Sequence, residues 1–181
     1  MHNTLAEFKA AIDQCRHVFT KKSADYGSAW RILRPSSLTD QLFIKAQRIR
    51  TIQEKGNAKI NEGIEQEFTA IVNYCIMALV QVNAPADLPL QLTTPQALQL
   101  YDAQVNHAVQ LLEAKNHDYG DAWRSMRISS FTDLILMKLY RIKQIEDNSG
   151  QTIASEGVES GYLDILNYAV FGLILLNKNN T

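Results

Sequence analysis

The chain has 181 residues, 46% of them hydrophobic and 20% charged, with a formal net charge of −1. That is enough apolar material for one sizeable core or two small ones packed together. The even mix of acids and bases gives no long-range field that would draw the chain onto a nucleic-acid backbone or an anionic membrane. Nucleic acid is therefore not an expected partner, and any anion site must be local.

The first helix is marked by Leu5, Phe8, Ile12, Cys15 and Phe19 at alternating spacings of three and four, and Asp25-Tyr26-Gly27 places a glycine where it should stop. A second helix is predicted from Ser37, with Asp40 three residues on as an acidic capping pair, to about Gln53. Gly56 marks a turn, and a third helix runs from about Asn61 to Val82. Pro85, Pro89 and Pro95 then interrupt any helical period between residues 83 and 95, which reads as a linker.

Beyond it the same order returns. Thr94-Pro95 suits a helix start with proline in the first turn. Leu98, Tyr101, Val105, Ala108 and Leu112 repeat the first stripe 93 residues on, and Asp118-Tyr119-Gly120 closes it. The fifth helix is expected from Ser130 and Asp133 to about Glu146, and the sixth from about Ser155 to Leu176 after a turn at Gly150. The stretch from Tyr162 to Leu176 is shorter than a bilayer span and carries Asp164 and Asn167, so it reads as a buried helix and no membrane contact is expected. No signal-like N-terminus is seen, and the two cysteines sit at apolar helical positions, so a cytoplasmic location is the expectation.

The periodicity rests on a duplication. The pattern KxxDYGxAWRxxRxSSxTD spans Lys22–Asp40 and again Lys115–Asp133, and with one extra residue before Gly150 about 24 positions are identical between the halves. The expected fold is all-α: two tandem copies of a three-helix unit, residues 1–82 and 96–181 joined by 83–95, packed as a pseudo-twofold bundle.

Several cations fall on faces that should be buried. Continuing the first stripe by one step reaches Lys22, and Lys115 in the second copy. At about 100° per residue, Lys45 lies between Ile49 and Ile52 with Arg48 about 60° away, and Lys138 and Arg141 repeat this beside Ile142 and Ile145. Such charges are costly unless each meets a carboxylate or an anionic ligand.

The third helix offers a polar stripe. In copy one it holds Glu62, Glu65 and Asn73, with Ala70 in the stripe and Glu67 on a different face; in copy two it holds Glu156, Glu159, Asp164 and Asn167. Two readings stand. Lys45 and Arg48 either pair internally with Glu62 and Glu65, and their counterparts likewise, or the cations hold a ligand's phosphates while the acids hold Mg2+. On the second reading Glu156, Glu159 and Asp164 bind metal and carry catalysis, with Glu62 and Glu65 as further metal ligands. Lys22, Lys45, Arg48, Asn73, Lys115, Lys138, Arg141 and Asn167 then line the ligand.

Arg31 and Arg34, with Arg124 and Arg127, follow the loop in each copy, either as bidentate phosphate contacts or as solvated surface groups. Tyr26, Tyr119, Trp30 and Trp123 either stack on a base or anchor the core, and Asp118 and Tyr119 are counted with the ligand-binding set. His2, His17, His107 and His117 have no counterparts across the copies and are expected at the surface. No nucleophile arrangement or glycine-rich phosphate loop is present.

With the lysine, the DYG, the AWR, the Lys-x-x-Arg-Ile helix and the Asp/Ala-x-x-Asn-Tyr element in view, the chain resembles the nucleotide modification associated domain family, in a tandem form covering both halves. The resemblance implies an association with nucleotide modification rather than a defined reaction. It is also distantly similar to all-α nucleoside triphosphate pyrophosphatases, whose paired Glu-x-x-Glu and Glu-x-x-Asp motifs bind magnesium and a nucleotide. Glu156-x-x-Glu159 and Asp164 match that pattern, while Gly161 replaces the second motif's glutamate and Ala70 the first copy's aspartate. The functions implied are a magnesium-dependent (deoxy)nucleotide pyrophosphohydrolase or a non-catalytic nucleotide-binding or assembly module, and a homodimer is compatible with either.

Overall fold

The computed structural model describes residues 3–56, 60–153 and 156–179, with the side chains of 60–62 and 116–119 outside that description. Six helices follow in order: α1 (Thr4–Tyr26), α2 (Pro35–Lys55), α3 (Ile60–Asn83), α4 (Thr94–Tyr119), α5 (Ile128–Asp147) and α6 (Val158–Asn179). Among the described residues there is no strand, and the chain is all-helical as the periodicity requires.

The ends of the first helices follow the sequence signals. Gly27 at φ 64° and Gly120 at φ 57° adopt the positive φ that glycine tolerates without strain, and the Gly27 N–H bonds back to the Ser23 carbonyl at 2.9 Å. The AWR segments that follow each tighten into a 3-10 turn, Ala29–Ile32 and Ala122–Ser125.

The other starts differ from expectation. α2 begins at Pro35, with Arg34 as N-cap and no side-chain cap bond, and α5 begins at Ile128 after Arg127. Ser37 and Ser130 therefore lie inside the first turn and do not cap; at α2 the proline at N1 already presets φ and lacks an N–H that needs satisfying. A capping box does occur at α4, one residue before the expected place. The Thr93 Oγ1 accepts from the Gln96 N–H at 3.3 Å and Gln96 Oε1 accepts from the Thr93 N–H at 2.9 Å. The expected α6 start at Ser155 lies outside the described residues, and the helix itself begins at Val158, so Glu156 precedes it.

Helices α2, α3, α6 and α5 form a ring of four, with α3 against α6 at the centre and α2 against α5 closing it. α1 and α4 lie outside, packed on each other. Each also crosses to the other repeat: α1 lies on α6 as well as α3, and α4 lies on α3 more than on α6. The core is continuous, running through Phe8, Leu42, Phe68, Leu79, Tyr101, Phe131 and Leu166.

Two glycines of α6 permit close approach. A Cβ on Gly172 would sit 3.1 Å from the Phe68 ring, and one on Gly161 would sit 2.8 Å from Ile142. By length and composition α6 could cross a bilayer, yet two-thirds of its apolar window is packed inside the bundle (67%).

Candidate functional site

In each repeat the cations of the second helix meet one carboxylate of the third, but at different positions. In the first repeat Arg48 Nη1 reaches Glu67 Oε1 at 3.0 Å and Lys45 Nζ lies 3.6 Å from Glu67 Oε2. The expected partners were Glu62 and Glu65; the side chain of Glu62 is outside the described residues, and Glu65 makes no ion pair among them. The sector of α3 facing α2 is centred nearer Glu67 than the stripe traced from Glu62. In the second repeat Lys138 Nζ lies 2.8 Å and Lys115 Nζ 3.3 Å from the two oxygens of Asp164.

The counterpart of Glu67 is Gly161 and that of Asp164 is Ala70, so the acid has moved by one turn. Packing accounts for the move, because the Ile142 side chain occupies the space that any side chain at 161 would need. Arg141, the counterpart of Arg48, is exposed and unpaired in the described structure.

The remaining acids do not converge. Glu156 accepts from Ser160 Oγ at 2.9 Å and Glu159 accepts from Asn83 Nδ2 at 3.1 Å. Among the described residues no three Asp, Glu, His or Cys side chains stand together as a set of ion ligands.

The arginines after each loop divide. Arg34 and Arg127 are exposed cap positions of α2 and α5. Arg31 is buried: it bonds the Gln81 side chain and donates to the carbonyls of Leu88 at 3.1 Å and Pro89 at 3.4 Å. Arg124 donates to Glu7 Oε2 at 2.7 Å and Thr4 Oγ1 at 3.0 Å, with its guanidinium 4.4 Å over the Trp123 ring. Each thus grips the chain just before, or at the start of, the other repeat's first helix, and both guanidiniums are committed to the fold.

Asn73 is committed as well. Its amide donates to the Cys15 carbonyl at 3.0 Å and its Oδ1 accepts from the Tyr101 hydroxyl at 2.8 Å. Burial pushes the Tyr101 phenol up, so it stays a donor. The counterpart of Tyr101 is Phe8, which has no hydroxyl, and the Oδ1 of Asn167 is buried without a partner. Burial likewise raises both thiols, Cys15 to about 12 and Cys75 well above its ordinary value, so neither is a thiolate nucleophile near neutral pH.

What the sequence did not foresee is a cavity of about 730 Å3 in the first repeat, between α1 and α3 and roofed by the 3-10 turn. Its walls include Lys22, Tyr26, Trp30, Glu65, Thr69, Ala70, Asn73, Tyr74 and Met77. Tyr26 is 73% exposed at the mouth, while Trp30 is half-buried against Phe19, 6.1 Å between ring centroids. Among the described residues neither Lys22 nor Glu65 makes an ion pair. The side chains of Asp118 and Tyr119 lie outside the described residues.

The corresponding wall of the second repeat differs. Phe171, where the first repeat has Met77, stacks on Trp123 at 4.3 Å and 10° between planes, and Trp123 is buried. The difference between the two walls includes one thioether against one phenyl ring, alanine against aspartate, and Thr69 against the bulkier Leu163. No length or period signal in either copy announces it.

The model of the nucleotide modification associated domain 1 family matches residues 22–82 and 115–176. Neither a curated protein nor a solved structure matches the chain. The two matched segments coincide with the two halves of the duplication and cover most of the chain, which therefore belongs to the nucleotide modification associated domain 1 family as a tandem of two copies.

Proposed function

We propose that the first repeat binds a nucleotide in the cavity between α1 and α3. One observation carries this: a cavity of about 730 Å3, within the range of small-molecule sites, joins an aromatic wall of Tyr26, Trp30 and Tyr74 to Lys22, which has no ion-pair partner among the described residues. The aromatic wall suits a base, and Lys22 suits a phosphate. The family's description, which ties it to nucleotide modification, supports the same ligand class.

Binding without chemistry is the reading the geometry supports best, since Asp164, Glu159 and Glu156 are each engaged elsewhere. Glu65 would repel a phosphate unless a cation lay between them, which Lys22 supplies and a magnesium ion drawn in with the ligand would reinforce. The magnesium-dependent hydrolysis that the acids of the stripe suggested is an outcome of the same test.

Calorimetric titration with nucleosides and their mono- and triphosphates, with and without magnesium, should show binding that strengthens when a phosphate is present. Lys22→Ala should weaken the phosphorylated ligands by roughly 10- to 100-fold, the loss of one charge-assisted bond of about 1.5–3 kcal/mol, and leave nucleosides unaffected. Release of phosphate or pyrophosphate would assign an enzyme instead. Absence of binding by every nucleotide would overturn the reading.

A further inference from the structure

We infer that the second repeat holds in place, through its own Phe171 and Asp164, the planar ring and the anion that the first repeat takes from its ligand. The inference rests on the nucleotide reading above and adds a pose, a ligand size and a stoichiometry of one per chain. The duplication gives each residue of one repeat a counterpart in the other. Trp123 carries the Phe171 ring in a stacked pair, while its counterpart Trp30 faces a cavity bordered by Met77. Asp164 ties Lys115 and Lys138 together, while its counterpart Ala70, which lines the cavity with Lys22, offers Lys22 and Lys45 no carboxylate.

Lys45 is not idle: it rests 3.6 Å from Glu67, whose other oxygen Arg48 holds at 3.0 Å. An anion arriving at Ala70 would meet Lys22 directly and share Lys45 with Glu67, as Asp164 shares its two lysines.

The positions of ring and anion are two helical turns apart, Ala70 to Met77, or about 10 Å at 1.5 Å per residue. A single planar ring or a free phosphate cannot touch both. A ring joined to a phosphate through a sugar can, which selects a nucleoside monophosphate as the smallest full occupant. The ring would stack on Trp30, where Phe171 stacks on Trp123, at a separation suited to aromatic pairs.

The test exchanges the two features between repeats and counts sites, with the adenosine, guanosine, cytidine and thymidine monophosphates as probes. The natural chain should bind with one site. The double variant Phe171→Met, Asp164→Ala should bind at two, the added site being lost on Lys115→Ala. The reverse pair, Met77→Phe with Ala70→Asp, should bind at none. Two sites in the natural chain, one site in a folded Phe171→Met, Asp164→Ala variant, or unchanged binding by the reverse pair would each overturn the inference.

A ligand-free readout separates its failure from that of the nucleotide reading. Trp30 and Trp123 are the two tryptophans of the chain, so Trp123→Phe and Trp30→Phe each leave one reporter. Acrylamide should quench Trp30 more steeply than Trp123, and Phe171→Met should raise the quenching of Trp123. Equal quenching of the two would overturn the plugged second repeat whatever binds to the first.

Discussion

Asn73 and Asn167 occupy the same place in the duplication and have opposite fates. The first has both halves of its amide satisfied, by the Cys15 carbonyl and the Tyr101 hydroxyl, and the second has a buried oxygen with no donor. The difference is a single oxygen atom on the crossing helix, present in Tyr101 and absent in Phe8. Phe8 packs edge-on to Phe171, 6.4 Å between centroids, and Phe171 is one turn along α6 from Asn167, so a hydroxyl on its ring is delivered to the right surface. Tyr101→Phe should therefore destabilise the protein by about 1–2 kcal/mol, since it leaves a buried acceptor unmet. Phe8→Tyr should stabilise it by up to about 1 kcal/mol. Thermal unfolding monitored by circular dichroism checks both; a lower melting temperature for Phe8→Tyr would show that the site cannot take the extra atom.

α1 and α4 are held at their N-terminal ends by the loop of the opposite repeat, and this decides how the helices are laid out. Ser28 Oγ donates to the Leu90 carbonyl and accepts from the Leu92 N–H, both at 2.8 Å, just ahead of α4. Its counterpart Asp121 accepts from Thr4 Oγ1 at 2.7 Å at the start of α1. Arg31 and Arg124 reinforce these two clamps. The helices themselves were legible, because the apolar stripes Leu5–Phe19 and Leu98–Leu112 have the right period and the DYG glycines mark their ends. The clamps were not, because an arginine that reads as a phosphate ligand and one that binds carbonyls across the fold have the same local sequence. The pairing of Lys45 and Arg48 was legible only to the extent that some acid on α3 had to answer them; which one depended on the rotation of α3 against α2. Arg124→Ala should release the first turn of α1 and destabilise the chain by about 1–3 kcal/mol, with faster amide exchange confined mainly to that turn. The Glu7 partner adds a pH sign. Burial acts to raise the Glu7 carboxyl, but Arg124 and Lys178 together outweigh it and hold the group below its ordinary value. A depressed acid stabilises the fold above its unfolded pKa and loses that contribution as pH falls through the folded value. The stability gap between the natural chain and Glu7→Gln should accordingly be full near neutral pH and close as the pH falls below about 4.5, the ordinary value.

The pseudo-twofold axis runs between α2 and α5, where Asp40 meets Lys143 and Asp133 meets Arg50, each at 3.7 Å, as one contact written twice. These are exposed pairs and contribute little to stability. What binds the halves is apolar: α3 lies on α6 through Phe68 against Gly172, and each outer helix is shared, with Tyr101 of the second repeat packed on Phe19 of the first at 4.7 Å. Duplication and the all-helical class could both be read from the sequence. The sharing of α1 and α4 between repeats could not, since either helix shows the same apolar stripe whichever partner it covers. The consequence is that each repeat covers an apolar face of the other. A chain cut between Asp87 and Leu88 would leave α1 without the α6 surface it covers and α4 without α3. Expressed alone, residues 1–87 and 88–181 should each lack cooperative thermal unfolding. Co-expressed, they should associate into a stable 1:1 complex with the helix content of the intact chain. The large α3–α6 and α2–α5 contacts supply the apolar area for that, and only the loop-closure entropy of one connection is lost. Cooperative unfolding of either half as an isolated monomer would show that the crossing of α1 and α4 is dispensable.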